Sequence, residues 1–194
     1  MAGHPRYTAV LDACVLYPVT VADVLLSLAT ASLFAAKWTQ QIEQEWLTNL
    51  NAARPDIGMP RLNLRRDAMR RAIPDWEVVA ESYECLIPAL TLPDPDDCHV
   101  LAAAIAGHAD CVVTSNVRDF PEPSMARHGI EVIHPDDFIV MQLELDTVVG
   151  LAAMKAMRAR YTNPALLPEE FADRLERCGL ILTSEKMREA IALI

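Results

Sequence analysis

Basic charge is what this 194-residue chain most lacks: 17 Lys and Arg stand against 27 Asp and Glu, a net charge of −10. Such a chain is a poor general binder of phosphate backbones, so any nucleic-acid role needs a local basic patch or metal ions that invert the local sign. Glycine is scarce too, at 6 residues, while 52% of the chain is hydrophobic. That excludes a disordered or low-complexity chain and is enough for a substantial core. No C-x-x-C pair exists, and the cysteine count, 5, is odd. A disulfide frame or zinc site is thereby disfavoured, and the thiols read as reduced, core-type groups of a cytoplasmic protein. No apolar stretch is long and uninterrupted enough to span a membrane, since the most apolar one, 19–36, is broken by Thr, Ser and Asp23. No apolar leader-like run follows MAGHPRY, so no signal peptide is expected.

What is present alternates. TAVLDACVL (8–16) opens as a continuous apolar run, the pattern of a strand buried on both faces. Helical spacing follows over 20–35 and 39–51, the latter with Thr39 as N-cap and Ile42, Trp46 and Leu50 inward. A helix over about 64–73 is stopped by Pro74, and WEVV (76–79) reads as a short strand. The stretch LPDPDDCHVLAAA opens a helix that ends at Gly107. CVVT (111–114) and IEVI (130–133) are further strands, and PDDFIVMQLEL is a helix. Beyond Thr147 the pattern is helical throughout, over 147–160, 168–178 and 184–193. The order predicts an α/β fold of three layers, α/β/α, around a mostly parallel sheet over residues 1–146, with a C-terminal helical extension over 147–194.

Four features could carry chemistry. Asp12 interrupts a buried strand, which is costly unless the carboxylate is paired or binds a metal. Pro18 and Thr20 lie too far along for it to cap the next helix well. Asp94, Asp96 and Asp97 place three acids in four positions at a helix start. Asp94 before Pro95 fits an N-cap, and the helix dipole welcomes the other two, but capping needs only one or two acids. Asp97 falls toward the buried face and Asp96 toward solvent. Thr114, Asn116 and Asp119 follow a second buried strand, where loops reach a ligand crevice or simply turn. On the helix 39–51, Glu45 sits at the border of the inward face, while Glu43 points more outward. Together these acids could form a ring at strand C-terminal ends. Without paired Lys such a ring repels itself, and a hard, oxygen-preferring cation such as Mg²⁺ or Mn²⁺ relieves it. Two such ions can act on a phosphodiester.

LDACVLYP, WTQQIEQEWLTNL, RRDAMRRAIPDW, LPDPDDCHVLAAAI and VVTSNVRDFP, in that order over residues 7–140, resemble the PIN-domain family of metal-dependent nucleases. The closest branch is the bacterial group akin to VapC-type toxins. The resemblance implies an endoribonuclease, a hydrolase of RNA phosphodiester bonds, that uses Mg²⁺ or Mn²⁺. It also implies a small antitoxin partner and a homodimer. The family's acidic quartet falls on Asp12, on Glu45 with Glu43 as the alternative register, on Asp97, and on a fourth position where Asn116 stands and Asp119 can supply the charge. A neutral amide there lowers the charge of the site. Six arginines against two aspartates lie between Arg54 and Arg71. Arg61, Arg65, Arg66 and Arg70 could form a rail for RNA, or only a solvated helix face. His99 and His108 read as structural, and Trp38, Trp46 and Trp76 as core anchors. An aspartyl phosphotransferase also places Asp at the end of the first strand. The dehalogenase kind needs a second acid where Cys14 stands, and no Lys follows near Asp119. A non-enzymatic interaction module on the same scaffold is the other alternative.

Overall fold

The computed structural model describes residues 7–194; the stretch MAGHPR, where a leader was sought, lies outside the described residues. Four short strands, β1 (Thr8–Leu11), β2 (Ala35–Lys37), β3 (Cys111–Val113) and β4 (Glu131–Ile133), form one sheet in the order β2-β1-β3-β4. All pairings are parallel, and Leu11 lies beside Val113. Ala9–Leu11 of β1 and all of β3 are fully buried, which is why they read as unbroken apolar runs.

The connections are helical: α1 (Ala13–Leu16), α2 (Val19–Thr30), α3 (Gln40–Ala53), α4 (Met59–Ala72), α5 (Ala80–Tyr83), α6 (Cys98–Ala106) and α7 (Glu122–Ala126). From β1 the chain moves outward to β2, and from β2 it returns across β1 to β3. Right-handed crossovers put these two connections on opposite faces of the sheet, which gives three layers. The direction reverses between β1 and β3. In open parallel sheets a crevice forms at that switch point, outside the carboxyl ends of the strands. Asp12 and Thr114 are the residues that immediately follow those two ends.

α6 lies against β1 and β3. Its Ala102, Ala103 and Ala104 are fully buried, and such small side chains permit close approach. Gly107 ends the helix as expected. A Cβ there would come within 2.9 Å of both the Ala103 carbonyl oxygen and Val78 Cγ2.

The last layer holds α8 (Pro135–Leu145), α9 (Thr147–Ala159), α10 (Pro168–Arg177) and α11 (Ile181–Glu189). α9 packs on α2, and α8 touches α2, α9 and α11. Met154, Met157, Phe171, Leu175 and Met187 are fully buried in the same hydrophobic core as the sheet. Asp136, 4% exposed, accepts the backbone N–H groups of Leu182 and Thr183 at 2.8 and 2.9 Å and the Thr183 hydroxyl at 2.7 Å. A carboxylate from α8 therefore caps α11 across the fold, so α11 starts at Ile181 rather than at the expected 184.

Other boundaries differ from the sequence reading. The helix expected over 20–35 ends at Thr30; Ser32 takes a positive φ of 69° and Ala35–Lys37 becomes the edge strand β2. Pairing with β1 overrides the helix preference of Ala here. α4 begins at Met59 because Pro60 starts it. WEVV makes one bridge, Trp38 to Glu77, instead of a strand, and helical turns follow over Ala80–Ala89. All three tryptophans are core residues, with Trp38 and Trp76 stacked at 5.1 Å. All five cysteines are free; Cys98 and Cys111 are buried, whereas Cys85 and Cys178 are exposed rather than core thiols.

Candidate active site

Strand β1 ends at Leu11, and Asp12 turns the chain into the four-residue helix α1. Asp12 Oδ1 accepts the Ala13 N–H at 2.6 Å. This acid therefore caps a short helix that the sequence did not announce. Its Oδ2 accepts the Thr114 hydroxyl at 2.7 Å and the Cys14 thiol at 3.0 Å. Those donors come from the end of β3 and the first turn of α1, so Asp12 is fixed where the two chain segments meet. Arg65 on α4 donates to the carbonyl oxygens of Leu16 and Tyr17 at the far end of α1. The short helix is thus pinned at both ends.

An open cleft of about 730 Å³ lies here. Asp12, Glu45, Asp96, Asp97 and Asn116 line it, and no Lys or Arg is among the lining residues. Asp94 caps the turn through the Asp96 N–H at 2.9 Å, with Pro95 in the first helical positions. This leaves Asp97 half-buried at the cleft and Asp96 exposed. The Asp97 carboxyl is pushed up to about 6, first by burial and then by the negative charges of Asp12, Asp94 and Asp119, with His99 opposing the rise. Burial and acidic neighbours both disfavour the ionised carboxylate, and they outweigh the opposing effect of His99.

α3 places its two candidate acids differently. Glu43 does not point outward: it is 2% exposed, accepts the Trp38 indole N–H at 2.9 Å and is paired with Arg70. The outward reading failed because α4 and Trp38 cover that face of α3. Glu45 lines the cleft, with Oε1 2.8 Å from His99 Nε2. Asn116 lines the cleft as well, while Asp119, in the 3-10 turn that follows, acts on Asp97 through its charge.

Sequence reasoning passed over Gln41 and Asn49, which line the cleft from α3, and Tyr17 at the end of α1. The first two stand four residues before and after Glu45, so helical periodicity places all three on one face. The arginine segment is largely engaged within the fold. Arg65 stacks over Trp46 at 4.6 Å, Arg70 over Trp76 at 4.6 Å, and Arg66 pairs with Asp67. Arg61 is exposed.

The lining carboxylates and amide are oxygen donors, the kind that Mg²⁺ and Mn²⁺ prefer. In kind and in charge they fit a hard divalent cation. Among the described residues no three His, Cys, Asp or Glu side chains converge closely enough to enclose an ion as they stand.

The family model described as "PIN domain" matches residues 8–118, more than half of the chain. The chain belongs to the PIN-domain family. A second model, described as "VapC50 C-terminal domain", matches residues 135–189, from the first residue of α8 to the end of α11. A Mycobacterium tuberculosis (strain ATCC 25618 / H37Rv) protein named "Putative ribonuclease VapC50" is 37% identical over 96 residues, which cover 50% of this chain and 56% of the relative. The chain thus spans about half the length of the curated relative that it matches. No solved structure matches. The PIN match and the cleft coincide in the chain, since Asp12, Glu45, Asp97 and Asn116 all fall within residues 8–118.

Proposed function

We propose that this PIN-domain chain is a divalent-metal-dependent endoribonuclease, used as the toxin of a toxin–antitoxin pair. The observation that carries the reading is the cleft at the switch point: Asp12, Glu45 and Asp97 gather there with no Lys or Arg in the lining, and Asp97 is pushed up to about 6. Carboxylates gathered in one cleft cost a fold stability, since each raises the cost of ionising the next.

Asp12, Glu45 and Asp97 would hold Mg²⁺ or Mn²⁺, with Asp119 contributing directly or through water. Such a cation supplies the positive charge that lets a phosphodiester enter an acidic cleft and that stabilises the leaving oxygen. The chain's own groups do the rest. Thr114, Cys14 and the Ala13 N–H fix the Asp12 carboxylate, so its free lone pairs face a set direction. Asn116 offers a neutral amide that can orient a phosphate or ribose oxygen without adding charge. The open cleft admits the water that hydrolysis consumes. Arg61 is the arginine of the proposed rail that remains exposed for an RNA backbone. Arg65, Arg66 and Arg70 serve the fold first.

The VapC-like kinship supports a small antitoxin protein as partner, a homodimer and a cytoplasmic setting. Among the described residues no helix is long and apolar enough to cross a membrane. The C-terminal helices, 147–194, are then an added layer built on the nuclease core of 1–146. An interaction module on a PIN scaffold is the second reading, favoured by the neutral Asn116 where the family pattern carries an acid.

The test is incubation of the purified protein with a mixture of structured RNAs in Mn²⁺, Mg²⁺ or EDTA, beside Asp12→Asn. The proposal expects cleavage with either metal, none in EDTA and none from the variant. Cleavage that persists in EDTA or in Asp12→Asn contradicts it.

A further inference from the structure

His99 has no part in the reading above, yet it lines the same cleft. It projects from the first turn of α6, two residues after Asp97, and is 3% exposed. Its Nε2 lies 2.8 Å from Glu45 Oε1 on α3. Its Nδ1 is buried with no hydrogen-bond partner. At 2.8 Å from a carboxylate oxygen, Nε2 presents a donor to Glu45 whether the ring is neutral or charged. A buried imidazole in contact with a cleft carboxylate restrains that carboxylate.

Glu45 needs such a restraint. Glutamate has three side-chain torsions, and the Glu45 side chain is 35% exposed at the mouth of the cleft. Asp12 is held by three donors, whereas Glu45 is met by His99 through one of its oxygens. The other oxygen is left for a cation.

We propose that His99 is a positioning residue: it holds Glu45 toward the cleft through Nε2 and so sets the affinity of the site for a divalent cation. The inference rests on the metal-dependent reading of the cleft. Hydrogen-bonding partners of metal-ligating groups commonly change metal affinity about 10- to 100-fold when removed.

Calorimetric titration with Mn²⁺ tests this without any RNA. His99→Ala is expected to weaken Mn²⁺ binding at least about tenfold. His99→Gln retains an N–H donor on a side chain of similar reach, and is expected to recover most of the loss. In a Glu45→Gln background, His99→Ala is expected to change affinity no further, because the contact it removes no longer serves a carboxylate ligand. Thermal unfolding of each variant identifies any that fails to fold; if His99→Ala does, His99→Phe, which keeps a buried ring and removes the donor, takes its place with the same expected loss and the same overturning result. Equal Mn²⁺ affinity in native protein and in folded His99→Ala overturns the inference alone. So does a full further loss of affinity in the Glu45→Gln background. A native protein that takes up no Mn²⁺ overturns the metal reading of the cleft and this inference together.

Discussion

Two regions of this molecule hold buried or half-buried carboxylates, and they treat them in opposite ways. Behind the sheet, Asp136 accepts three hydrogen bonds that join α8 to the start of α11. On the covered face of α3, Glu43 is paired with Arg70 and takes the Trp38 N–H. At the ends of β1 and β3, Asp12, Glu45 and Asp97 share a cleft that no Lys or Arg lines, and Asp97 is pushed up to about 6. Acids of the first kind hold the fold together. In the cleft Asp12 is hydrogen-bonded as well, but Asp97 is penalised by burial and by its acidic neighbours, and the proposed cation relieves that penalty.

The largest expected effect breaks the second group. Asp12→Asn should lower metal-dependent RNA cleavage by more than about a hundredfold, read from initial rates, while unfolding remains cooperative. The next breaks the first group. Asp136→Ala leaves three donors, two of them buried, without an acceptor and should destabilise the protein by about 3 kcal/mol, measured by denaturant unfolding. Glu43→Ala should cost about 2 kcal/mol, because Arg70 is 35% exposed and partly rehydrates. Glu45→Ala on the same helix should leave stability within about 1 kcal/mol and lower Mn²⁺ binding instead.

The Asp97 shift sharpens the contrast through pH. Its folded-state carboxyl is raised above the ordinary value, so the native state holds the proton that the unfolded chain releases. Stability from this group is therefore greatest below the ordinary Asp range and is lost as pH rises toward about 6. Asp97→Asn should accordingly raise the melting temperature at pH 7 and change it little at pH 4. A cation favours the ionised form, so Mn²⁺ affinity should weaken as pH falls below about 6 in native protein. Calorimetry at pH 5 and pH 7 measures that directly. The smallest effect expected is from Arg61→Ala: stability unchanged within about 0.5 kcal/mol and a modest loss of RNA affinity, seen at low salt.

The same contrast explains what could be read from sequence. The sheet's central strands and the helix after LPDPDD were legible because burial on both faces and the Asp94–Pro95 cap are local signals. Glu45 was legible by helical periodicity. Glu43 was misread as outward-facing because its partners, Arg70 and Trp38, come from other elements. The edge strand β2 was invisible, since Ala35–Lys37 becomes a strand only by pairing with β1. The start of α11 was set by Asp136, forty-six residues before Leu182. His99 was read as structural, and nothing in its own helix shows that it meets Glu45. Periodicity showed which way a residue faces; it could not show what another segment brings to meet it.

The most direct test of the central claim is the melting temperature of the native protein with and without Mn²⁺, beside Asp12→Asn and Arg61→Ala. A ligand at about 100 times its dissociation constant adds about 2.7 kcal/mol, which for a chain of this size is a rise of about 5–10 °C. The account predicts that rise in native protein and in Arg61→Ala, and its loss in Asp12→Asn. A native protein whose melting temperature does not move with Mn²⁺, or an Asp12→Asn variant that gains the full rise, would contradict it.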